Sequence, residues 1–129
     1  MPQNSRAFEA VDPFGRVWNV EFRWLQNGIS IRHADTVDLK YYLTGPDVKR
    51  EIVIALPHAD LVQAARRLGR ELKDAWCLHL ASRHLERMIR TWEDMDKTIV
   101  TLPARELDNL AEAYEADLRR TRDEAALHH

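Results

Sequence analysis

The sequence predicts an α+β protein, in which a four-stranded antiparallel β-meander packs on a long helix and a C-terminal helix follows. Residues 16–56 alternate apolar and polar side chains, which is typical of strands with one buried face. From residue 57 to residue 95 the apolar spacing changes to three- and four-residue steps, as in an amphipathic helix. A second helical pattern covers residues 103–126. We therefore expect one domain over residues 16–127, after an irregular segment at residues 1–15.

The predicted strands cover about residues 16–25, 29–34, 37–44 and 50–56. In the first strand, polar residues alternate with four apolar residues that should share one face of the sheet: Trp18, Val20, Phe22 and Trp24. Asn27-Gly28 favours a tight hairpin turn, because both residues tolerate positive φ. A short strand at Thr98–Leu102 is a further candidate.

A two-residue turn at Asn27-Gly28 would place Trp24 opposite Ile31, and the next loops would place Leu39 opposite both Ile31 and Leu56. This register puts every apolar row on one face. The other face then carries a mixed-sign set that we expect to be solvated: Glu21, Arg23, Ser30, Arg32, Asp38, Lys40, Tyr42 and Glu51.

The predicted helix at residues 57–95 has a break or kink at Gly69. Its middle, residues 75–81, carries no formal charge and belongs to two apolar stripes a quarter-turn apart. A helix that is apolar on nearly every side is buried, either by two elements of its own chain or by a second subunit. The second alternative predicts a homodimer, with these interface candidates: Trp76, Leu78, Leu80, Leu85, Met88 and Trp92.

Composition narrows the functional classes. The chain has 129 residues, a net charge of −2 and a pI near 6.3, so it has no overall attraction for nucleic acid or a membrane surface. No apolar run reaches the length of a membrane span, and the N-terminus does not resemble a signal peptide. The lone Cys77 indicates a buried, inert thiol and a reducing cytoplasm. The preference for Arg over Lys and the many Ala residues suggest a bacterial source, and His128-His129 are either native or the remnant of a tag.

A repeated tripeptide is the sharpest candidate for chemistry. His33-Ala34-Asp35 and His58-Ala59-Asp60 fall at one end of the predicted sheet, where two imidazoles and two carboxylates could bind a small ligand or a divalent metal, with or without enzymatic activity. Structural roles compete with this interpretation, because Asp35 is a typical turn residue and Asp60 suits the first turn of a helix.

Three functional hypotheses follow. With no recognisable catalytic motif, the first is a homodimeric binding or regulatory module, without a cofactor, whose partner is its own copy or another protein. The alternative is the small-ligand or metal site of His33, Asp35, His58 and Asp60. The third is a single-stranded nucleic-acid binder: the order of a meander followed by a helix over residues 16–95 resembles the topology of the Whirly and Pur-alpha families. The acidic balance disfavours nucleic acid as a partner.

Overall fold

The computed structural model describes residues 5–28 and 35–127, which form a five-stranded mixed sheet and three helices. The elements in chain order are β1 (Ala7–Val11), β2 (Val17–Gly28), β3 (Thr36–Thr44), β4 (Lys49–Pro57), α1 (His58–Arg67), α2 (Asp74–Thr91), β5 (Ile99–Thr101) and α3 (Ala104–Leu127). The prediction of an α+β fold with a C-terminal helix is confirmed. The purely antiparallel four-stranded sheet is wrong, because β5 pairs in parallel with β4 and completes the order β1-β2-β3-β4-β5.

Strand β1 lies within the segment that we predicted to be irregular. It pairs antiparallel with β2, with Ala10 opposite Trp18 and Val11 opposite Val17. The chain reverses at Asp12 to Arg16, where the backbone N–H of Asp12 donates to the carbonyl of Arg16 (3.0 Å) and Gly15 has φ of +85°. Glycine adopts this conformation without a steric penalty. Pro13 and Gly15, which belong to the segment that we predicted to be irregular, therefore lie inside a hairpin.

The hairpin predicted at Asn27-Gly28 is also wrong. Both residues belong to β2, where Asn27 pairs with Val37 of β3. Strand β2 is thus bonded directly to β3 in the sheet. The predicted second strand at residues 29–34, with Ile29, Ser30, Ile31 and Arg32, lies outside the described residues. Asn-Gly tolerates a turn without requiring one, and the nine-residue β3 offers both residues a strand partner instead.

The register between β3 and β4 differs from the prediction by two residues. Leu39 pairs with Ile54 and Tyr41 with Ile52. Because strand side chains alternate with a period of two, this shift leaves each side chain on its predicted face. The inner face of these strands is fully buried and forms much of the core: Leu39, Tyr41, Leu43, Ile52, Ile54 and Leu56.

The predicted long helix is two helices, α1 and α2, separated by residues 68–73. Gly69 adopts φ of +63° just after α1, and the N–H of Arg70 donates to the carbonyl of Ala65 (2.8 Å). A glycine in this conformation commonly ends a helix. Helix α3 then packs on both α1 and α2 and buries Leu107 and Ala111 completely. All three helices therefore lie on the inner side of the sheet, which leaves its outer face open.

Candidate interaction surface

The predicted His/Asp site is only partly described. His33 lies outside the described residues. At the end of the sheet the backbone N–H of His58 donates to the carbonyl of Asp35 (2.9 Å), while the side chains of both residues are exposed and Asp60 is half-buried in the first turn of α1. In residues 5–28 and 35–127, no group of three His, Cys, Asp or Glu side chains could hold a metal ion. The pairing of His33 with His58 stays a prediction.

The interface candidates of α2 are covered by their own chain. Trp76, Leu80 and Met88 are at most 2% exposed, and Leu85 and Leu78 are also buried. Trp92 is half-buried. The sheet and α3 contact α2 and account for this burial. A helix that is apolar on nearly every side can be buried by its own chain or by a second subunit. Here the chain itself buries these residues, so a homodimer would form through a different surface.

A β-bulge in β2 creates such a surface. Phe22 pairs with Tyr41, but Trp24 pairs with Lys40, so Arg23 is an extra residue in β2. An extra residue reverses the alternation of side chains beyond it. Phe22 consequently remains inside, in edge-to-face contact with Tyr41 (5.8 Å between ring centroids), whereas Trp24 turns outward and is 37% exposed. The prediction that Trp24 belongs to the inner face is wrong for this reason.

Trp24 joins a group on the outer face that we call the outer-face cluster: Glu21, Arg23, Trp24, Lys40, Tyr42 and Glu51. The Lys40 ammonium lies between two rings, 5.7 Å from the centroid of Trp24 and 5.8 Å from that of Tyr42. The Arg23 guanidinium lies 4.7 Å from the Tyr42 ring centroid. Aromatic faces attract cations at these distances. The cluster is therefore an organised surface rather than a set of independent side chains.

The charges of the outer-face cluster are balanced in pairs. Arg23 contacts Glu21 at 3.0 Å, and Lys40 contacts Glu51 at 2.8 Å. The hydrogen bond between Lys40 and Glu51 raises the pKa of the ammonium and lowers the pKa of the carboxyl. Each cation already has a carboxylate partner. The cluster consequently offers no excess positive charge to a phosphate backbone.

Exposed apolar side chains concentrate on the same face. Among the described residues seven large apolar or aromatic side chains are exposed, and five of them lie on the outer face of the sheet: Val11, Val17, Trp24, Tyr42 and Ile99. The other two are Phe14, at the turn between β1 and β2, and Val48, just before β4. Exposed apolar residues scattered singly are normal, whereas their concentration on one face is typical of an interaction surface.

The fold and this surface define a small α+β protein with an open sheet face that carries aromatic and paired charged side chains. No protein-family model, curated protein or solved structure matches the chain. None of the three helices that the structure describes is both long and apolar enough to cross a membrane.

Part of this surface could be predicted from the alternation of residues alone. Lys40, Tyr42 and Glu51 lie on the outer face, as the alternation indicates. The position of Trp24 depends on the bulge at Arg23, for which the sequence carries no signal. We therefore missed the aromatic residue that completes the cluster.

Proposed function

We propose that this protein is a non-catalytic interaction module that forms a homodimer through the outer face of its sheet. The observation that supports this proposal is the concentration of exposed apolar side chains there, five of seven among the described residues. Their burial against a second copy would remove them from water, which is the main favourable contribution to protein association. Trp24 and Tyr42 are the central residues of the proposed interface, since Trp and Tyr commonly carry much of the binding energy.

The charge pattern supports a second copy as the partner. A two-fold interface brings the same surface patch of each subunit together, so the patch must be complementary to itself. The outer-face cluster contains two cations and two carboxylates, the pairs of Arg23 with Glu21 and Lys40 with Glu51. A patch of mixed sign can match cations of one copy with carboxylates of the other.

The same pattern argues against a nucleic-acid partner. Aromatic side chains on an open sheet can stack on the bases of a single strand, and Trp24 and Tyr42 have the necessary exposure. Affinity for a strand also needs cations that are available to phosphates, whereas Lys40 and Arg23 are paired with carboxylates. We therefore favour self-association over the nucleic-acid hypothesis.

Light scattering during size-exclusion chromatography tests the proposal. We expect a dimer for the wild type at micromolar concentration and a monomer for the double variant Trp24→Ser/Tyr42→Ser. Each substitution occurs in both copies of a two-fold dimer, so four central aromatic side chains are lost; at about 2 kcal/mol each, dimerisation weakens by well over 1000-fold. Phe14→Ser is the matched control, because Phe14 is 68% exposed but lies off the outer face, and it should leave the dimer intact.

A monomeric wild type at high micromolar concentration would contradict the proposal, as would a double variant that still dimerises. Binding of a single-stranded oligonucleotide that weakens steeply with salt and is lost in the double variant would support the nucleic-acid hypothesis instead.

Within this proposal the protein works in the cytoplasm of a bacterium. Cys77 is buried, and burial raises the pKa of its thiol to about 11, so the reactive thiolate is disfavoured. An inert thiol without a second cysteine in this sequence suits a reducing compartment. Cell fractionation of the source organism checks this location, and recovery of the protein only from the extracellular fraction would exclude it.

A further inference from the structure

A cavity of about 400 Å³ lies between the end of α2, β5 and the start of α3. Charged and apolar residues line it, including His84, Arg87 and Met88 of α2, Glu93 of the following turn and Glu106 of α3. This volume is within the range of small-molecule sites in proteins. The cavity lies beside the strand β5, and its lining includes Ile99, an exposed apolar residue of the outer face, but no residue of the outer-face cluster.

His84 is the unusual residue of this cavity. It is only 8% exposed, and neither ring nitrogen has a hydrogen-bond partner among the described residues. Buried polar side chains are almost always hydrogen-bonded. Burial lowers the pKa of His84, so the imidazole is neutral at neutral pH and offers one donor and one acceptor. Both ring nitrogens are also covered by protein atoms, so a ligand in the cavity contacts His84 without a hydrogen bond to its ring.

The charges around the cavity favour a cationic ligand. Arg87 is paired with Glu106 at 2.5 Å, and Lys97 is paired with Asp94 at 3.0 Å. The remaining charged side chain is Glu93, which makes no ion pair within residues 5–28 and 35–127. Two cations and three carboxylates leave the lining with one excess negative charge.

An anionic ligand fits less well, although α3 begins beside the cavity and the N-terminus of a helix attracts anions. Glu106 lies in the first turn of α3 and already interacts with this end of the helix. An anion would also face the unpaired carboxylate of Glu93. Apolar side chains complete the wall, among them Met88, Val100 and Pro103. The cavity therefore combines one available carboxylate, one neutral imidazole and an apolar side.

We propose that this cavity binds a small organic cation, a primary amine with a short apolar stem. The ammonium group donates a hydrogen bond to the carboxylate of Glu93 and lies beside the imidazole of His84. The stem packs against Met88 and Val100. An organic cation is favoured over a metal ion because no three His, Cys, Asp or Glu side chains of the described part of the chain could hold one.

NMR titration of the protein with two probes of similar size and opposite charge tests this proposal. We expect n-butylammonium to produce saturable shifts of the His84 imidazole and of the backbone amides from residue 93 to residue 101. For a ligand of about five heavy atoms, the dissociation constant should be on the order of millimolar. Butyrate should leave these signals unchanged. Saturable binding of butyrate at His84, or no saturable shift with butylammonium, would overturn the proposal.

Two substitutions then test the assigned residues. Glu93→Gln removes the exposed carboxylate at no expected cost in folding and should weaken butylammonium binding roughly 10-fold, because a charge-assisted hydrogen bond is lost. Asp96→Asn is the matched control, because Asp96 is an exposed carboxylate of the same turn but does not line the cavity. This variant should bind butylammonium with the affinity of the wild type. His84→Leu should also weaken binding. Equal affinity of Glu93→Gln and the wild type would contradict the assignment.

Discussion

Asp12 and His84 are two buried polar residues with opposite surroundings. Asp12 is 4% exposed and its carboxylate accepts four hydrogen bonds, from the N–H of Phe14 (2.8 Å), the N–H of Arg16 (3.0 Å), the guanidinium of Arg16 (2.6 Å) and the indole of Trp18 (3.0 Å). His84 is 8% exposed and accepts or donates none among the described residues. Burial alone therefore does not distinguish a structural polar group from a candidate binding group, whereas the set of partners does.

The two residues are connected through Trp92. Arg16, which is held by Asp12, stacks on the Trp92 ring at 4.8 Å, and Trp18 contacts the same ring at 5.7 Å. Trp92 ends α2 with φ of +62°, a conformation that a bulky residue adopts only under constraint from its surroundings. The turn that begins there carries Glu93 to the cavity. The hydrogen-bonded carboxylate of Asp12 thus helps to position the turn that carries Glu93 next to His84.

Among the substitutions at neutral pH, the largest expected effect is the loss of the Asp12 carboxylate. Asp12→Asn keeps the shape but replaces one acceptor oxygen by an NH₂ group that faces donors. We expect the melting temperature to fall by roughly 5–10 °C, measured by circular dichroism. Glu9→Gln, an exposed substitution on β1, is the control and should melt like the wild type. Equal melting temperatures for Asp12→Asn and the control would mean that the four hydrogen bonds contribute little.

Acid should affect the half-buried His79 and the buried His84 before it affects Asp12. Burial, with a contribution from Arg83, lowers the pKa of His79 to about 4, and the pKa of His84 is lowered as well. The unfolded chain, in which histidine titrates near 6.5, therefore binds more protons than the folded chain between about pH 6.5 and pH 4. Stability should fall as the pH falls through this window, by up to about 3 kcal/mol for His79.

Asp12 behaves differently in that window. Its burial would raise the pKa of the carboxyl, but the hydrogen bonds from Trp18, Arg16 and Phe14 lower it to about 2. Its contribution is complete above the unfolded pKa of about 3.9 and is lost only as the pH falls towards 2. Urea unfolding at several pH values between 7 and 4 measures the slope of the free energy of unfolding against pH. His79→Phe, which keeps a ring against Tyr114, should flatten it, whereas the exposed-residue control His58→Gln should not. An unchanged slope in His79→Phe would remove His79 as the cause.

The smallest expected effect has the opposite sign. His84→Leu removes a buried polar group without partners, so we expect the free energy of unfolding at pH 7 to rise by ~1 kcal/mol in urea unfolding. The matched control is Ser82→Ala on the same helix, because the buried hydroxyl of Ser82 donates to the carbonyl of Ser5 (2.7 Å) and bonds to the Tyr41 hydroxyl (2.8 Å). That control should be destabilised by about 1 kcal/mol. A similar loss in both variants would show that His84 has a hydrogen-bond partner in solution.

Periodicity predicted much of the fold because it reports which side of an element is buried. The rows that contain Leu39, Tyr41 and Ile54 face the core, although their pairing differs from the prediction by two residues. Gly69 indicated a helix end through its own conformational freedom. In contrast, β1 is five residues long and alternates weakly, and the bulge at Arg23 inserts one residue without any change in composition. Such features depend on contacts between distant segments.

The candidate sites were harder to predict for the same reason. The sequence places His84 on a helix, but its lack of hydrogen-bond partners is a property of everything that surrounds it. Conversely, the apolar residues on nearly every side of the middle of α2 correctly predicted that it is buried. The pattern could not distinguish burial by the same chain from burial by a second copy. Leu80 and Leu85 are fully buried in α2, which contacts both the sheet and α3.

The parallel strand β5 also constrains the order of folding. Its backbone bonds to β4, where the N–H of Val53 donates to the carbonyl of Thr98 and the N–H of Leu102 donates to that of Ala55, both at 2.9 Å. Two helices separate these partners in the chain. On a ribosome β4 would therefore remain an open edge until more than forty further residues had been made. A nascent chain stopped before residue 99 should accordingly be prone to aggregate through that edge.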